Sequence, residues 1–409
     1  MANKQFDVIV YGATSFVGQI ICRYMLDTYG VGEGVSWAIA GRSSGKLESL
    51  KRELGGAAAS LETFTADAAD EAALKALCEK GDVILSTVGP YAYYGEPLVK
   101  VCAETGTDYV DLTGEVQWIR EMLERHEATA KKSGARIVHC CGFDSIPSDL
   151  GVYYLQEHAR SKFGKPCRRV KLRVKGARGG FSGGTVASLT NVATEAAKNA
   201  ALRKILADPY ALCLSGPRNS AQQPDVKVAT HDKDFDVWLA PFIMSGINTR
   251  VVHRSNMLSQ NGYSDGFQYD EAMMTGSGAK GWAAAQGMTL GLGGFLVAVA
   301  LKPTRWALEK FVLPAPGEGP SPEEQRNGFY DIRFYGETED GQMLRAKVTG
   351  DRDPGYGSTA KMISEAAVCL AKDVPASEKT GGFWTPATAF GDRLIERLEA
   401  KAGLTFELI

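Results

Sequence analysis

Several features of common protein classes are missing from this sequence. Its 409 residues carry a formal net charge of −2 and no basic tract, which argues against nucleic acid as the main partner. The eight cysteines include no CxxC pair, and no group of His, Cys and Asp has the spacing of metal ligands. We therefore expect no metal site and interpret the cysteines as reduced thiols of a cytoplasmic protein. The first predicted strand begins too close to the first residue to leave room for a signal peptide.

The strongest motif lies at the start of the chain. Residues 8–10 form an apolar, β-branched run that predicts a buried parallel strand, and apolar residues from Phe16 onward recur with helical spacing. The turn between them has the pattern GxxSxxG, in which Ser15 replaces the central glycine of the usual motif. A strand, a glycine turn and a helix in this order predict a dinucleotide-binding site.

Each part of this turn has a physical role in the hypothesis. Gly12 permits the sharp turn, and Gly18 permits close packing of the helix on the strand. The free N–H groups of the first helical turn, aided by the helix dipole, attract a pyrophosphate. The alternative is an ordinary strand-to-helix turn without a ligand. The residues assigned to the site are Gly12, Thr14, Ser15, Phe16, Val17 and Gly18.

The end of the second predicted strand bears on the choice of nucleotide. An acidic residue at this place binds the ribose 2′-hydroxyl of NAD, whereas an arginine pairs with the 2′-phosphate of NADP. This chain has Arg42 and Ser43 there and no acid, which favours NADP (NADPH) over NAD. The alternative for Arg42 is a solvated loop residue. Asp67, after the short third strand, lies either near the adenine or at the N-cap of the next helix.

The fourth predicted strand runs into a Gly-Pro turn followed by three tyrosines. We expect Val88, Gly89 and Pro90 to pass the nicotinamide ribose at the carboxyl edge of the sheet. Tyrosines beside a nicotinamide are candidate proton donors or substrate walls, and Tyr91 and Tyr94 are the catalytic candidates here. The alternative for each tyrosine is aromatic packing under the next helix.

The loop after the sixth predicted strand supplies the third catalytic candidate, Asp144. His139 and Asp144 flank a turn that again lies at the carboxyl edge of the sheet. They either position substrate or relay a proton. The structural alternative is that Asp144 only accepts hydrogen bonds from backbone N–H groups of the turn.

The order of predicted elements defines the fold. Strands and helices alternate in the first part of the chain, which predicts a doubly wound parallel sheet. In the second half, charged and aliphatic residues alternate over 168–175 as in a strand with one solvated face, and 329–336 with 343–348 predict a hairpin. The predicted class is α/β, an N-terminal Rossmann doubly wound parallel sheet with a second α+β domain built on a mixed sheet.

Three domains are expected. They are 1–150, an NAD(P)-binding Rossmann domain; 151–354, a substrate and dimerisation domain; and 355–409, C-terminal helices that return to the Rossmann domain. A second glycine-rich turn at 178–185 precedes a predicted helix over 186–206. That turn is either another anion site or a loop shaped for close packing.

One uncharged segment, 281–301, departs from the composition of a soluble protein. It is long enough to span a bilayer and is flanked by Lys280 and Lys302. Its high content of Gly and Ala gives it only a modest transfer energy. The alternatives are a buried helix or a surface for a partner subunit, a peripheral contact with membrane or lipid, and a true membrane span.

A set of motifs spread over nearly the whole chain resembles the saccharopine dehydrogenase-like oxidoreductases, and within them the bacterial trans-acting enoyl reductases. The motifs are the turn 12–18, Ala40-Gly41-Arg42, Thr87-Val88-Gly89-Pro90-Tyr91, 142–149, Gly183-Gly184-Thr185, 314–320 and 350–357. The resemblance implies an NAD(P)-binding oxidoreductase fold. It implies reduction only by analogy, because a fold does not determine its chemistry.

The sequence also limits the mechanism. Short-chain dehydrogenases use a Tyr-x-x-x-Lys motif, and here Tyr356 has Ala360 four residues on and Lys361 one place further. No cysteine-nucleophile site is supported. Direct hydride transfer between nicotinamide C4 and a substrate remains, with the protein supplying orientation and one proton donor.

Three functions are therefore weighed. The first is an NADPH-dependent reductase of a polarised double bond, of the enoyl type, in an apolar or acyl small molecule. The second is a nucleotide-binding module that docks on a lipid surface or another enzyme with little turnover. The third is a saccharopine-type amino-acid dehydrogenase, which would need converging arginines for several carboxylates. We expect a homodimer in each case.

Overall fold

The computed structural model of the protein describes residues 4–32, 34–179, 183–216, 219, 221–311 and 318–409. In chain order its strands are β1 (Phe6–Tyr11), β2 (Trp37–Gly41), β3 (Thr63–Thr65), β4 (Gly81–Ser86), β5 (Asp108–Asp111), β6 (Arg136–Val138), β7 (Arg169–Arg178), β8 (Thr230–Asp232), β9 (Val237–Pro241), β10 (Gln268–Gly276), β11 (Phe329–Glu337), β12 (Met343–Gly350), β13 (Gly382–Trp384) and β14 (Leu404–Leu408). Its helices are α1 (Phe16–Tyr29), α2 (Ser44–Leu54), α3 (Glu71–Cys78), α4 (Tyr91–Tyr94), α5 (Glu96–Thr105), α6 (Val116–Ser133), α7 (Ile146–Phe163), α8 (Gly183–Lys198), α9 (Ala200–Ala207), α10 (Ser245–Leu258), α11 (Gly278–Ala300), α12 (Lys302–Phe311), α13 (Pro322–Arg326), α14 (Thr359–Lys372), α15 (Pro386–Phe390) and α16 (Asp392–Arg397). A 3-10 turn at Gly56–Ala58 and π-helical turns at Pro354–Ser358 and Leu398–Ala402 complete the set.

The first sheet has seven parallel strands in the order β13-β6-β5-β4-β1-β2-β3. Val8 in β1 pairs with Trp37 in β2 on one side and with Val83 in β4 on the other. Val8, Ile9 and Val10 are fully buried, as in a parallel sheet covered on both faces. The strand order reverses at β1, so the turns after β1 and β4 flank a crevice at the carboxyl edge. The predicted doubly wound parallel sheet is confirmed.

The second sheet also has seven strands, in the order β14-β12-β11-β7-β10-β9-β8. β7 and β10 run parallel, and the other neighbouring strands are antiparallel. β11 and β12 form the predicted hairpin, with Gly341 in its turn at a φ of +84°. The mixed sheet of the second α+β domain is therefore confirmed.

Contacts within the chain divide it into two compact units. The first unit contains three parts of the chain. They are the stretch that ends at Ile146, a short segment that ends at Gly319, and Gly355–Gly403. The second contains the stretch that begins at Pro147, together with Pro320–Pro354 and Leu404–Ile409. The last residues differ from the expected helices, because β14 pairs with β12 and so belongs to the second sheet.

The charged face of β7 is not a solvated one, contrary to the expectation for 168–175. Arg173 is only 2% exposed and forms ion pairs with Asp232 and Asp270. Lys171 also pairs with Asp232, at 3.2 Å, and Arg169 pairs with Asp270. A buried guanidinium requires such carboxylates, which stand far away in the sequence and give no local signal.

The predicted helix over 186–206 is two helices. The Asn199 side chain accepts hydrogen bonds from the backbone N–H groups of Ala201 and Leu202 and thereby caps α9. Asparagine favours this position over a helix interior, which explains the break. Residues 180–182 of the second glycine-rich turn lie outside the described part of the chain, so the anion site expected there has no structural description.

Helix α11 contains almost all of the uncharged segment 281–301. Its most apolar 18-residue window has a mean hydropathy of 1.5, and only 11% of that window is buried. The interpretation as a buried core helix is therefore wrong. Among the described residues, α11 is the one helix long and apolar enough to cross a membrane.

All eight cysteines are buried free thiols. The prediction of reduced thiols is confirmed, including the adjacent pair Cys140 and Cys141. Burial raises the pKa of the Cys140 thiol well above its ordinary value, with the charges of Asp111 and Asp144 adding to the effect. Such a thiol stays neutral, which is unsuited to a nucleophile.

Candidate functional site

Gly12 occupies a position in the turn after β1 that no other residue fits. Its φ is +86°, and a Cβ built there would lie 2.6 Å from Thr87 Oγ1 and 2.8 Å from Val88 Cγ2. This φ lies in the left-handed region of backbone conformation, and the two short distances leave no space for a side chain at Gly12. The turn therefore lies directly against the loop after β4.

Gly18 brings helix α1 equally close to the turn. A Cβ on Gly18 would lie 2.3 Å from the carbonyl oxygen of Gly12. Ser15 begins the helix, and its Oγ accepts a hydrogen bond from the Gly18 N–H at 3.0 Å. Ser15 therefore acts as the N-cap of α1, a role that its place in the motif does not reveal.

The start of α1 fits a pyrophosphate. An α-helix leaves its first N–H groups without carbonyl partners, and Ser15 satisfies only that of Gly18. The backbone N–H groups of Phe16 and Val17 therefore remain able to bind an anion at the positive end of the helix dipole, beside the tight turn at Gly12. The Phe16 ring packs against Tyr356, with ring centroids 5.2 Å apart.

Thr87, which sequence reasoning missed, connects the turns after β1 and β4. Its Oγ1 lies 2.9 Å from both the Gly12 carbonyl oxygen and Ser15 Oγ. Its N–H donates to the Tyr11 carbonyl at 2.9 Å. The hydroxyls thus form a chain in which Gly18 N–H donates to Ser15, Ser15 to Thr87 and Thr87 to Gly12. The only sequence signal is the position of Thr87 directly before the Val-Gly-Pro turn.

Removing this hydroxyl tests the connection. We expect Thr87→Val to raise the Kd for NADPH by roughly 5- to 30-fold, because two hydrogen bonds are worth about 1–2 kcal/mol. Thr87→Ser keeps the hydroxyl and should bind NADPH within about threefold of the wild type, a difference below 1 kcal/mol. Calorimetric titration of both variants measures this. Equal affinities of the valine variant and the wild type would exclude the proposed role.

Arg42 and Asp67 follow β2 and β3, on the side of β1 that faces away from β4. Both act on the Tyr11 hydroxyl, whose pKa burial raises to about 12; Asp67 adds to that rise and Arg42 opposes it. Arg42 is exposed, and the neighbouring Ser43 caps α2 by accepting from Lys46 N–H at 3.4 Å. An exposed guanidinium beside a helix N-terminus suits a phosphate.

Asp67 is not the N-cap of the following helix. Its carboxylate accepts from Ala69 N–H at 2.9 Å, whereas Asp70 caps α3 by accepting from the N–H groups of Ala72 and Ala73. The alternative in which Asp67 is the N-cap of this helix is therefore wrong. The place of Asp67 near the adenine stays a prediction.

The loop after β4 holds Tyr91 in a structural position. Tyr91 is 6% exposed; its hydroxyl donates to the Ser86 carbonyl at 3.0 Å and accepts from Leu112 N–H at 3.2 Å. Burial and the nearby carboxylates raise its pKa well above the ordinary value. Donation of the phenol proton to a substrate would break the bond to the Ser86 carbonyl, which favours a packing role for Tyr91. Tyr94 is 50% exposed, with its ring near that of Tyr93.

Glu115, a second residue that sequence reasoning missed, fixes the start of α4. It is 2% exposed, and its carboxylate accepts from the backbone N–H groups of Tyr91 at 3.0 Å and Ala92 at 3.1 Å. A carboxylate at a helix start satisfies groups that would otherwise lack partners. It thereby holds the loop that contains Val88, half-buried, and Gly89, exposed.

Asp111 holds the turns after β5 and β6. It is fully buried, and one of its oxygens accepts from the N–H groups of Thr113 and Cys140, each at 3.1 Å. The other oxygen lies 2.6 Å from His139 Nδ1. Cys140 has a φ of +63°, so the extended conformation of β6 does not continue through this residue. His139 is 6% exposed, so we assign it a positioning role rather than contact with substrate.

Asp144 lies half-buried between these turns. A Cβ on Gly142 would be 3.0 Å from Asp144 Oδ2, and one on Gly114 would be 3.8 Å from Oδ1. Burial, with the charge of Asp111, raises the pKa of Asp144 to about 7. The carboxyl group therefore keeps its proton close to neutral pH.

The predicted residues fall into groups at the same edge of the first sheet. Gly12 to Gly18 follow β1, Val88 to Tyr94 follow β4, and Asp144 follows β6. Arg42 and Asp67 lie on the opposite side of β1, after β2 and β3. In a doubly wound fold this edge binds a dinucleotide across the reversal point. No group of three or more His, Cys, Asp or Glu side chains in the described residues is arranged to hold a metal ion.

Comparison with known proteins agrees with this geometry. Residues 8–138 match the saccharopine dehydrogenase NADP binding domain. The chain is 38% identical to a Mycobacterium tuberculosis protein provisionally named a trans-acting enoyl reductase, over 99% of this chain and 97% of the relative. It is 35% identical to a trans-acting enoyl reductase of Mycobacterium ulcerans, over 97% and 96%. This chain belongs to the saccharopine dehydrogenase-like oxidoreductases of the trans-acting enoyl reductase type. It is an NAD(P)-dependent oxidoreductase.

The fold of the family extends to solved structures. Apo saccharopine dehydrogenase (L-Glu forming) from Saccharomyces cerevisiae superposes with a TM-score of 0.52 at 15% identity, covering 98% of this chain and 99% of the other. The homospermidine synthase of Legionella pneumophila in complex with NAD has a TM-score of 0.50 at 10% identity, covering 100% and 92%. At such identities the likeness concerns the fold alone.

Proposed function

We propose that this oxidoreductase uses NADPH to reduce a polarised carbon–carbon double bond, of the enoyl type, in an apolar or acyl substrate. The observation that carries the proposal is Arg42, exposed beside the capped start of α2 with no acid at the end of β2. The name of the Mycobacterium ulcerans relative, a trans-acting enoyl reductase, supports the reaction class.

The residues of the first unit would divide the work of holding the nucleotide. The N–H groups of Phe16 and Val17 would bind the pyrophosphate, and Arg42 would bind the 2′-phosphate. Val88 and Gly89 would border the nicotinamide ribose. When bound, NADPH supplies the hydride. The protein then contributes orientation and a proton for the second carbon of the double bond.

Asp144 is our choice for the proton donor. Its raised pKa of about 7 lets it hold a proton at the pH of the cytoplasm, which an ordinary aspartate does not. Asp111 and His139 position the turn that carries it. Tyr91 is committed to two backbone groups. Tyr94 remains the competing candidate.

The cations of β7 already have carboxylate partners in the protein. Substrates with several carboxylates require free guanidinium or ammonium groups in their site. Arg169, Lys171 and Arg173 are each paired with carboxylates of the same unit, so their charges are already neutralised. These three cations are therefore not available to bind the carboxylates of a saccharopine-type substrate.

Arg42→Ala tests the cofactor choice. We expect the Kd for NADPH to rise roughly 10- to 100-fold, because a charge-assisted hydrogen bond contributes about 1.5–3 kcal/mol. The Kd for NADH should stay unchanged, since NADH lacks the 2′-phosphate. Calorimetric titration at one salt concentration measures both. Arg52→Ala, an exposed arginine of α2, is the matched control. Equal losses for NADPH and NADH in Arg42→Ala would refute the 2′-phosphate role.

A further inference from the structure

Helix α11 has a few buried residues on one face and exposed apolar side chains on another. Gly281, Ala285 and Val299 are buried within the second unit, to which the helix belongs. Leu290, Val297 and Leu301 are 74%, 61% and 54% exposed. These three follow one another at intervals of seven and four residues, so they form one apolar stripe along the outer side.

The inner side of α11 is fixed to its own domain. The helix packs on β9 and β10, and the Thr275 hydroxyl lies 2.9 Å from the Gly281 carbonyl at the helix start. A helix that spans a bilayer must be surrounded by lipid or by other spanning segments. Because α11 contacts β9, β10 and α8 of its own unit, it is held by a folded domain, which favours a position in the plane of an interface over a span.

The ends of the stripe carry the groups that suit a membrane surface. Trp282 and Trp306 are 47% and 58% exposed, near the two ends of the uncharged segment. Tryptophan favours the boundary between acyl chains and headgroups. The sequence from 278 to 311 has four cations and one acid, which favours anionic lipids. The cations are Lys280, Lys302, Arg305 and Lys310, and the acid is Glu309.

We propose that the outer face of α11, with the start of α12, docks in the plane of an anionic phospholipid bilayer. The apolar stripe of Leu290, Val297 and Leu301 enters the boundary between headgroups and acyl chains, and Lys280, Arg305 and Lys310 contact the anionic headgroups. This docking is independent of the proposed reaction, since it concerns only the second unit. It would bring the enzyme to the phase in which apolar acyl substrates dissolve.

Vesicle flotation of the full-length protein tests the proposal. Wild-type protein should float with vesicles of phosphatidylcholine mixed with phosphatidylserine, and less with phosphatidylcholine alone or at high salt. Leu290→Ser combined with Val297→Ser should lower the partition coefficient at least about tenfold, because two aliphatic side chains no longer enter the bilayer. The matched control combines Val228→Ser with Met343→Ser, which are 62% and 60% exposed in the same unit. It should float like the wild type.

Three outcomes would overturn the proposal. One is a wild-type protein that does not float with anionic vesicles. Another is a dimer, seen by light scattering, that the Leu290/Val297 double variant dissociates, because the stripe would then be covered by a second copy. The last is wild-type protein that resists alkaline extraction from the vesicles, which would indicate a spanning segment rather than in-plane docking.

Discussion

Gly12→Val is expected to abolish binding of NADPH, with a Kd at least about 100-fold above that of the wild type, equivalent to about 2.7 kcal/mol. The φ of +86° strains any L side chain, and the Cβ would stand 2.6 Å from Thr87 Oγ1. The valine methyl groups would also enter the space beside the turn in which the pyrophosphate should lie. Calorimetric titration with NADPH measures the loss.

The result must be separated from a loss of folding. Gly56→Val is the matched control, because a side chain at Gly56 meets nothing within 4 Å. Far-ultraviolet circular dichroism and gel filtration should show both variants folded, with a lower melting temperature for Gly12→Val. Undiminished NADPH binding by folded Gly12→Val would contradict the assignment of this turn as the nucleotide site.

Asp144→Asn is expected to lower kcat by roughly 10²- to 10⁴-fold, the range for loss of a general acid, while the Kd for NADPH stays the same. Only the protonated carboxyl group can donate a proton. The kcat of the wild type should therefore fall as the pH rises through about 7. The residual kcat of the asparagine variant should lack this dependence. Steady-state kinetics over a pH series measures both.

The raised pKa of Asp144 also predicts how the free energy of unfolding depends on pH. The pKa of Asp144 is raised from 3.8 to about 7, so between these pH values the native protein holds a proton that the unfolded chain has released. The contribution of Asp144 to the free energy of unfolding is therefore present at low pH and decreases as the pH rises toward about 7. Urea unfolding across this range should show a flatter pH dependence for Asp144→Asn than for the wild type.

Tyr94→Phe examines the competing donor. A large fall in kcat for Tyr94→Phe, with Asp144→Asn close to the wild type, would transfer the proton-donor role to Tyr94. A fall for Asp144→Asn without change in its pH profile would indicate that Asp144 only shapes the turn. The pH profile thus distinguishes a chemical role from a structural one.

The local motifs were predictable from the sequence, whereas the contacts between them were not. Gly12 and Gly18 stand where a strand, a turn and a helix follow one another, so their roles depend on neighbours in the sequence. Thr87 and Asp111 act on turns that lie tens of residues away, as in the bond from Thr87 to Gly12. Nothing in their own segments indicates which backbone groups they will meet.

The burial of charged side chains could not be predicted from the sequence either. The alternation in 168–175 predicted the strand β7, yet one solvated face was expected where Arg173 is buried between Asp232 and Asp270. Alternation records which residues share a face of a strand and does not record what covers that face. The same limit applied to α11, whose apolar composition suited a core helix equally well. Only the packed fold showed that its outer side is exposed.

The most direct measurement is the transfer of deuterium from NADPH labelled at C4 to an enoyl acceptor, followed by mass spectrometry of the product. We predict one deuterium on the carbon remote from the activating carbonyl, one NADPH consumed per double bond reduced, and much slower reaction with labelled NADH. Tight NADPH binding without label transfer to any enoyl acceptor would contradict the reductase function and favour a nucleotide-binding module. Label transfer only to an imine formed from a semialdehyde and glutamate would instead support an amino-acid dehydrogenase.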